Sequence, residues 1–281
     1  MNRLTHRSMS IRDYLLRRSV AWPADHGSWV FLLSPLIIGL AVGRRWTEPV
    51  TYLIVAAVCG FLVRQPMTIV IKALSGRRSR SDLPAALFWS TLYSLIGLVH
   101  VLGLVLRGMG YLLHLAIPGV AVFVWYLYLV WSRDERRQLM LEIVGSGVFA
   151  LTAPAGLWAA LGYPDRLGWL LWLLTWAQSA ASIVYVYLRL QQRVLKTPPT
   201  AQGKLIMGLP AVTLTSLNVL GVAALGADGL ISLALTLAYI PQWIEALWGT
   251  YRPAIGYKPS WIGIRQLGVS TLYTLLFVWA W

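Results

Sequence analysis

From Pro84 to Leu106 the chain runs through 23 residues without one Asp, Glu, Lys or Arg. A helix needs about 20 mostly apolar residues to cross a hydrocarbon core of roughly 30 Å, so this run can span one. Several other runs reach a similar length. In lipid, backbone N–H and C=O groups must be satisfied internally, which leaves helices and closed barrels. A barrel strand alternates apolar and polar residues, and Gly168–Leu190 shows no sustained alternation. The expected fold is all-α, a polytopic membrane helical bundle.

Composition agrees. Of the 281 residues 58% are apolar and 12% are charged, against about 25% charged in soluble domains. The single cysteine, Cys59, lies in an apolar run, which excludes a disulfide framework and a CxxC metal or redox motif. A net charge of +14 would point to nucleic acid in a soluble protein. Here the placement of the basic residues explains it better, and no nucleic-acid partner is expected.

Nine spans are read: Ser28–Val42, Pro49–Ala73, Pro84–Leu106, Gly110–Trp131, Leu141–Leu161, Gly168–Tyr187, Leu205–Leu225, Gly229–Trp248 and Ile264–Trp281. With that register, 20 of the 24 Lys and Arg fall in the N-terminal segment and the even-numbered connections. Only Arg44, Arg45, Arg107 and Arg166 fall on the other side. Cytoplasmic loops carry the excess of Lys and Arg, so the N-terminus is expected in the cytoplasm and the C-terminus outside, in a bacterial inner membrane. Residues 1–27 form the cytoplasmic segment, and 28–281 the nine-helix domain. Ser10-Ile-Arg-Asp13 opens a short interfacial helix that Pro23 stops. Arg17-Arg18 resembles an export signal, but eight further spans follow the first, so the segment is read as an anchor.

The common soluble motifs are missing: no Walker loop, no dinucleotide fingerprint, no HExxH and no GxSxG. The candidates are polar groups at membrane depth or at cytoplasmic helix ends. His26, in Asp25-His-Gly-Ser-Trp29, is a candidate ligand-binding or proton-shuttling group, or simply an interfacial histidine at a helix start. Arg64, Thr68 and Lys72 share one helical face, with Gln65-Pro66 predicting a kink. Arg189, Arg193 and Lys196 form a second stripe at i, i+4 and i+7. Topology alone accounts for both stripes as well as ligand binding does. Glu142 and Glu245 sit near helix ends, where each is expected to pair with a cytoplasmic-side Arg or Lys. His100 and His114 lie near the outer ends of adjacent spans. A haem between them lacks any further ligand pattern, and no cofactor or metal is expected. Trp169, Trp172 and Trp176 are expected to pack between helices or line a cavity.

Pro23-Ala-Asp-His-Gly-Ser-Trp29, followed by Leu-Leu-Ser-Pro35 and Gly39, resembles the opening of the YwiC-like membrane proteins, and the likeness continues through Arg64-Gln-Pro66. That family brings no established activity. More distantly, the layout is similar to the UbiA superfamily of intramembrane prenyltransferases. This likeness implies nine spans, active-site loops after spans two and six, and a Glu-x-x-Gly helix start, matched here by Glu142-Ile-Val-Gly145. UbiA enzymes hold Mg²⁺ and a prenyl diphosphate with aspartate-rich motifs. Here the second connection has only Asp82, and Arg189–Lys204 has no carboxylate. Any enzyme of this kind would be a divergent transferase without its usual metal.

Three functional classes stay open. The first is binding or modification of an anionic or isoprenoid-phosphate-like lipid in a cavity open to the cytoplasm. The basic stripes would then converge at its mouth, with His26 and Glu142 at the same level. The others are transport of a small solute through a path lined by helices broken near Pro66 or Pro241, and a non-catalytic role beside a membrane-protein partner. Membrane lipids are partners in every case. Ordered lipid in a basic-lined cavity would favour the first, two alternate openings the second, and a fully packed interior the third.

Overall fold

The computed structural model describes residues 17–23, 27–134 and 139–281. Those residues are helical, with no strand among them. The helices are α1 (Arg18–Ala21), α2 (Ser28–Gly43), α3 (Glu48–Leu62), α4 (Arg64–Leu74), α5 (Leu83–Leu106), α6 (Leu113–Ser132), α7 (Leu139–Ala150), α8 (Thr152–Leu161), α9 (Arg166–Gln192), α10 (Ala201–Ala227), α11 (Thr236–Tyr251) and α12 (Pro259–Ala280). Pairs α3–α4 and α7–α8 each form one long segment with a break inside it, so α2–α12 make nine helical segments. Seven are long and apolar enough to cross a membrane; α2 and α11, at 16 residues each, are shorter. The chain is an integral membrane protein of the multi-pass helical type. The interfacial helix expected from Ser10 falls mostly on residues outside those described; before Pro23 the described residues hold the four-residue helix α1, with Arg17 extended at its start.

The two breaks have one cause. A proline ring collides with the carbonyl four residues back and supplies no N–H to it. Pro66 faces the carbonyl of Leu62, where α3 ends, and Pro154 faces that of Ala150, where α7 ends. The kink expected at Gln65-Pro66 is therefore seen as a break at Val63.

The connections gather at two ends. At one end Arg17 pairs with Asp82 at 2.8 Å, Arg77 donates to the Val130 carbonyl, Tyr187 donates to Glu142 at 3.1 Å, and Arg193 donates to the Tyr257 carbonyl at 3.1 Å. At the other, Arg107 pairs with Glu48, and Thr47 donates to the Ala159 carbonyl at 3.0 Å.

Helix α2 runs through the centre, packed on α7, α8, α9 and α12. Its closest neighbour is α8. A Cβ on Gly39 would stand 2.1 Å from the Ala153 carbonyl oxygen, and one on Gly43 would stand 2.5 Å from the Ala160 Cβ. This small-residue seam replaces the hydrophobic drive that lipid does not supply. Between α7 and α9, Trp172 and Trp176 stack at 5.0 Å. Their ring nitrogens donate to the carbonyls of Gly147 and Ile143, each at 2.9 Å. These tryptophans, with Trp169 edge-on to Trp172, pack between helices as expected.

Helix α6 stands apart. It packs on α4 and α7 but not along its predecessor α5 or along α3, and it has the smallest buried share of the candidate spans.

Candidate functional site

The space left beside α6 is a chamber of about 840 Å³, walled by α2, α3, the start of α4, α5, α6, α7 and α8, with Ile183 of α9. That volume lies toward the upper end of the range of roughly 300–1,000 Å³ for small-molecule sites. Its lining is mostly Leu, Val, Ala and Phe. Arg64 and Glu142 are the two charged residues in the wall, with Ser28, Tyr126, Ser146 and Thr152 as polar company. From Arg64 to Leu53 along one wall, and from Glu142 to Ala155 along another, the chamber runs some ~16–20 Å at 1.5 Å per helical residue. The charged groups sit at one end and the rest is mostly apolar.

The break at Val63 puts Arg64 at the first position of α4. Its guanidinium lies over the Phe61 ring, 5.5 Å from the centroid. Among the described residues it has no carboxylate and no hydrogen-bond acceptor. One turn on, buried Thr68 donates to the Arg64 carbonyl at 2.7 Å and meets the Tyr126 hydroxyl at 3.2 Å. That contact ties α4 to α6 at the charged end. Glu142 enters from α7 and accepts from Tyr187 of α9 at 3.1 Å. Lys72, two turns beyond Arg64, does not line the chamber. His26 lies outside the described residues.

The second stripe is built differently. Helix α9 ends at Gln192, so Lys196 lies past its end, exposed, and the i, i+4, i+7 face is not continued. Arg189 is 3% exposed. Its Nη1 donates to Gln192 Oε1 at 2.9 Å and to the carbonyls of Gly249 and Arg252 at 3.0 and 2.7 Å. These carbonyls close α11, whose last turn has no helical donors left. Arg193 likewise holds the Tyr257 carbonyl. Arg189 borders a second cavity of about 410 Å³ with Tyr185, Tyr257, Trp261 and Arg265. The expected convergence of both stripes on one cavity mouth is therefore corrected: Arg64 and Glu142 share the large chamber, whereas Arg189, Arg193 and Lys196 do not line it. A stripe at the end of a span fixes which face residues share, but not which neighbouring carbonyls need donors.

Glu245 has an arginine partner. Arg265 holds it bidentately, Nε to Oε2 and Nη2 to Oε1 both at 2.8 Å, and the Tyr185 hydroxyl adds 2.8 Å. Asp82 is held by Arg17 and Arg78. Among the described residues no three His, Cys, Asp or Glu side chains come together. His100 and His114 each turn Nδ1 to a carbonyl of their own segment, Ile96 at 2.7 Å and Tyr111 at 3.1 Å. Sequence reasoning missed Tyr126 and Tyr185. Tyr126 stands in the aromatic cluster Trp125-Tyr-Leu-Tyr128 at a span end, which was a usable signal.

Residues 22–157 match the family model described as YwiC-like protein. Over this stretch, a little under half of its length, the chain is similar to that family. The YwiC-like region holds every chamber-lining residue except Ile183. No curated protein and no solved structure gives a significant match to the chain.

Proposed function

We propose that the YwiC-like region binds an anionic amphiphile, a lipid of isoprenoid-phosphate or similar chemistry. Its headgroup would lie at Arg64 and its tail in the apolar chamber. The observation that carries this reading is the polarity of the chamber: a guanidinium with no acceptor among the described residues at one end and mostly apolar walls along the rest. Arginine presents a planar fork that matches phosphate, and a charge-assisted bond in a partly desolvated site contributes about 1.5–3 kcal/mol. Apolar walls stabilise the tail by removing it from water. The Tyr126 hydroxyl adds a neutral polar group at the same end. Glu142, held by Tyr187, lies at the same end of the chamber. No bridging metal is needed.

The 20 to 4 split of basic residues supports a cytoplasmic N-terminus, nine crossings and an outside C-terminus in a bacterial inner membrane. The headgroup end then faces the cytoplasm. Transport is the second reading, favoured by one observation: both proline-broken spans line the chamber. A non-catalytic partner role has less support, because a packed interior would be expected there. Modification of the lipid stays open as the enzyme form of the first reading.

The test is the thermal shift of the purified protein on adding farnesyl phosphate. A shift that EDTA leaves intact and Arg64→Ala removes supports the reading. A shift seen only with Mg²⁺ overturns the metal-free form, and a shift equal in Arg64→Ala overturns the headgroup assignment.

A further inference from the structure

The chamber is not closed on all sides, and where it opens bears on which lipids it accepts. Helices α5 and α6 are consecutive and joined by the short segment 107–112, yet they do not pack along their lengths. The cause lies in α4. Past the break at Val63 it packs on α5 with one side and on α6 with the other, wedging the two apart at the charged end. Toward the other end α3 stays against α5, and among the described residues no helix packs between α5 and α6. Residues of both helices there line the chamber and are exposed. Val105 of α5 and Val120 of α6 line the chamber, and they are 38% and 62% exposed. Ala116 lines it too and is exposed. Every side chain named at this edge is aliphatic. In a membrane the space outside it is filled by lipid tails, not water. Pro118, beside Gly119, leaves the His114 carbonyl without its helical donor and lets α6 bow at this level.

We infer that the tail of the bound amphiphile leaves the chamber sideways between α5 and α6 and continues into the bilayer. The ligand class is thereby long-chain lipids, with no upper limit on tail length set by the chamber. This rests on the reading of Arg64 as headgroup anchor and adds to it what happens at the other end. A sealed chamber some ~16–20 Å long would fit a tail about as long as one leaflet of the hydrocarbon core, ~15 Å, and would reject longer ones. An open edge converts that limit into a plateau.

The experiment measures binding of prenyl phosphates that share one headgroup, from geranyl through farnesyl and geranylgeranyl to undecaprenyl phosphate, to the full-length protein in nanodiscs. Affinity should rise with length until the chamber is filled and then stay level through undecaprenyl phosphate. Val120→Trp, or Ala116→Phe as an independent way to fill the gap, should weaken undecaprenyl phosphate at least tenfold more than it weakens farnesyl phosphate. Retained farnesyl phosphate binding also shows that the variant is folded. Undecaprenyl phosphate binding tenfold or more weaker than farnesyl phosphate in the unaltered protein would overturn the open edge and leave the anchor at Arg64 standing. So would gap-filling variants that bind both probes as before. If none of the phosphates binds, the anchor reading fails and the tail exit fails with it.

Discussion

Arg64 is a charge within the span Glu48–Leu74, where unpaired charges are costly and tend to mark function. Its face over Phe61 offsets part of that cost, because a cation over an aromatic ring is stabilised by about 0.5–2 kcal/mol. The planar fork stays available at the chamber wall. Arg64→Lys should keep some affinity for farnesyl phosphate, since charge remains and the fork is lost, while Arg64→Ala should lower it at least tenfold by calorimetric titration. The pair Glu245–Arg265 makes a different prediction. Glu245 is 13% exposed and Arg265 46%, so removing the arginine strands a carboxylate that only Tyr185 then serves. Arg265→Ala should lower thermal stability by about 1–3 kcal/mol, and adding Glu245→Gln should restore much of it. A loss of stability that persists in the double variant would show that the ion pair is not the cause. From sequence, both carboxylates were legible as groups needing partners. The specific partners were not, because Arg265 lies 20 residues from Glu245 and Tyr187 45 residues from Glu142, and spacing along the chain carries no contact information at that range.

At the level of elements, proline position decides the shape of the chamber. Pro66→Ala restores the donor for the Leu62 carbonyl and should let α3 and α4 fuse into one straight helix. That moves the Arg64 side chain and withdraws the α4 wedge from between α5 and α6. Farnesyl phosphate affinity should fall while thermal stability holds or rises, since a proline inside a helix costs about 3 kcal/mol. Unchanged affinity would separate the break from the site. On the central seam, Gly39→Val sets a branched side chain against the Ala153 backbone. Overpacking of this kind costs about 1–3 kcal/mol, and the variant should melt lower in detergent. Apolar runs and prolines made the helices and their breaks readable in advance. The standing-off of α6 was not readable, because a helix that is apolar all round presents the same pattern to lipid, to a neighbour or to an empty chamber.

At the scale of the whole molecule, the contacts at the two ends of the bundle keep the basic-rich connections together and the basic-poor ones together. Reporter fusions after Arg80, Arg137 and Lys196 should therefore report cytoplasm, and fusions after Asp165 and Trp281 outside; a cytoplasmic C-terminus would contradict nine crossings. The YwiC-like region holds nearly all of the chamber wall, whereas the remaining helices supply Ile183, the Tyr187 contact to Glu142 and their own smaller cavity. The central claim is that this region holds an anionic lipid at Arg64. Native mass spectrometry of the protein purified from its membrane tests it most directly. The account predicts a stoichiometric phosphate-bearing lipid that survives EDTA and is lost, or reduced at least tenfold, in Arg64→Ala. A lipid-free spectrum for the unaltered protein, or the same bound lipid in both proteins, would contradict it.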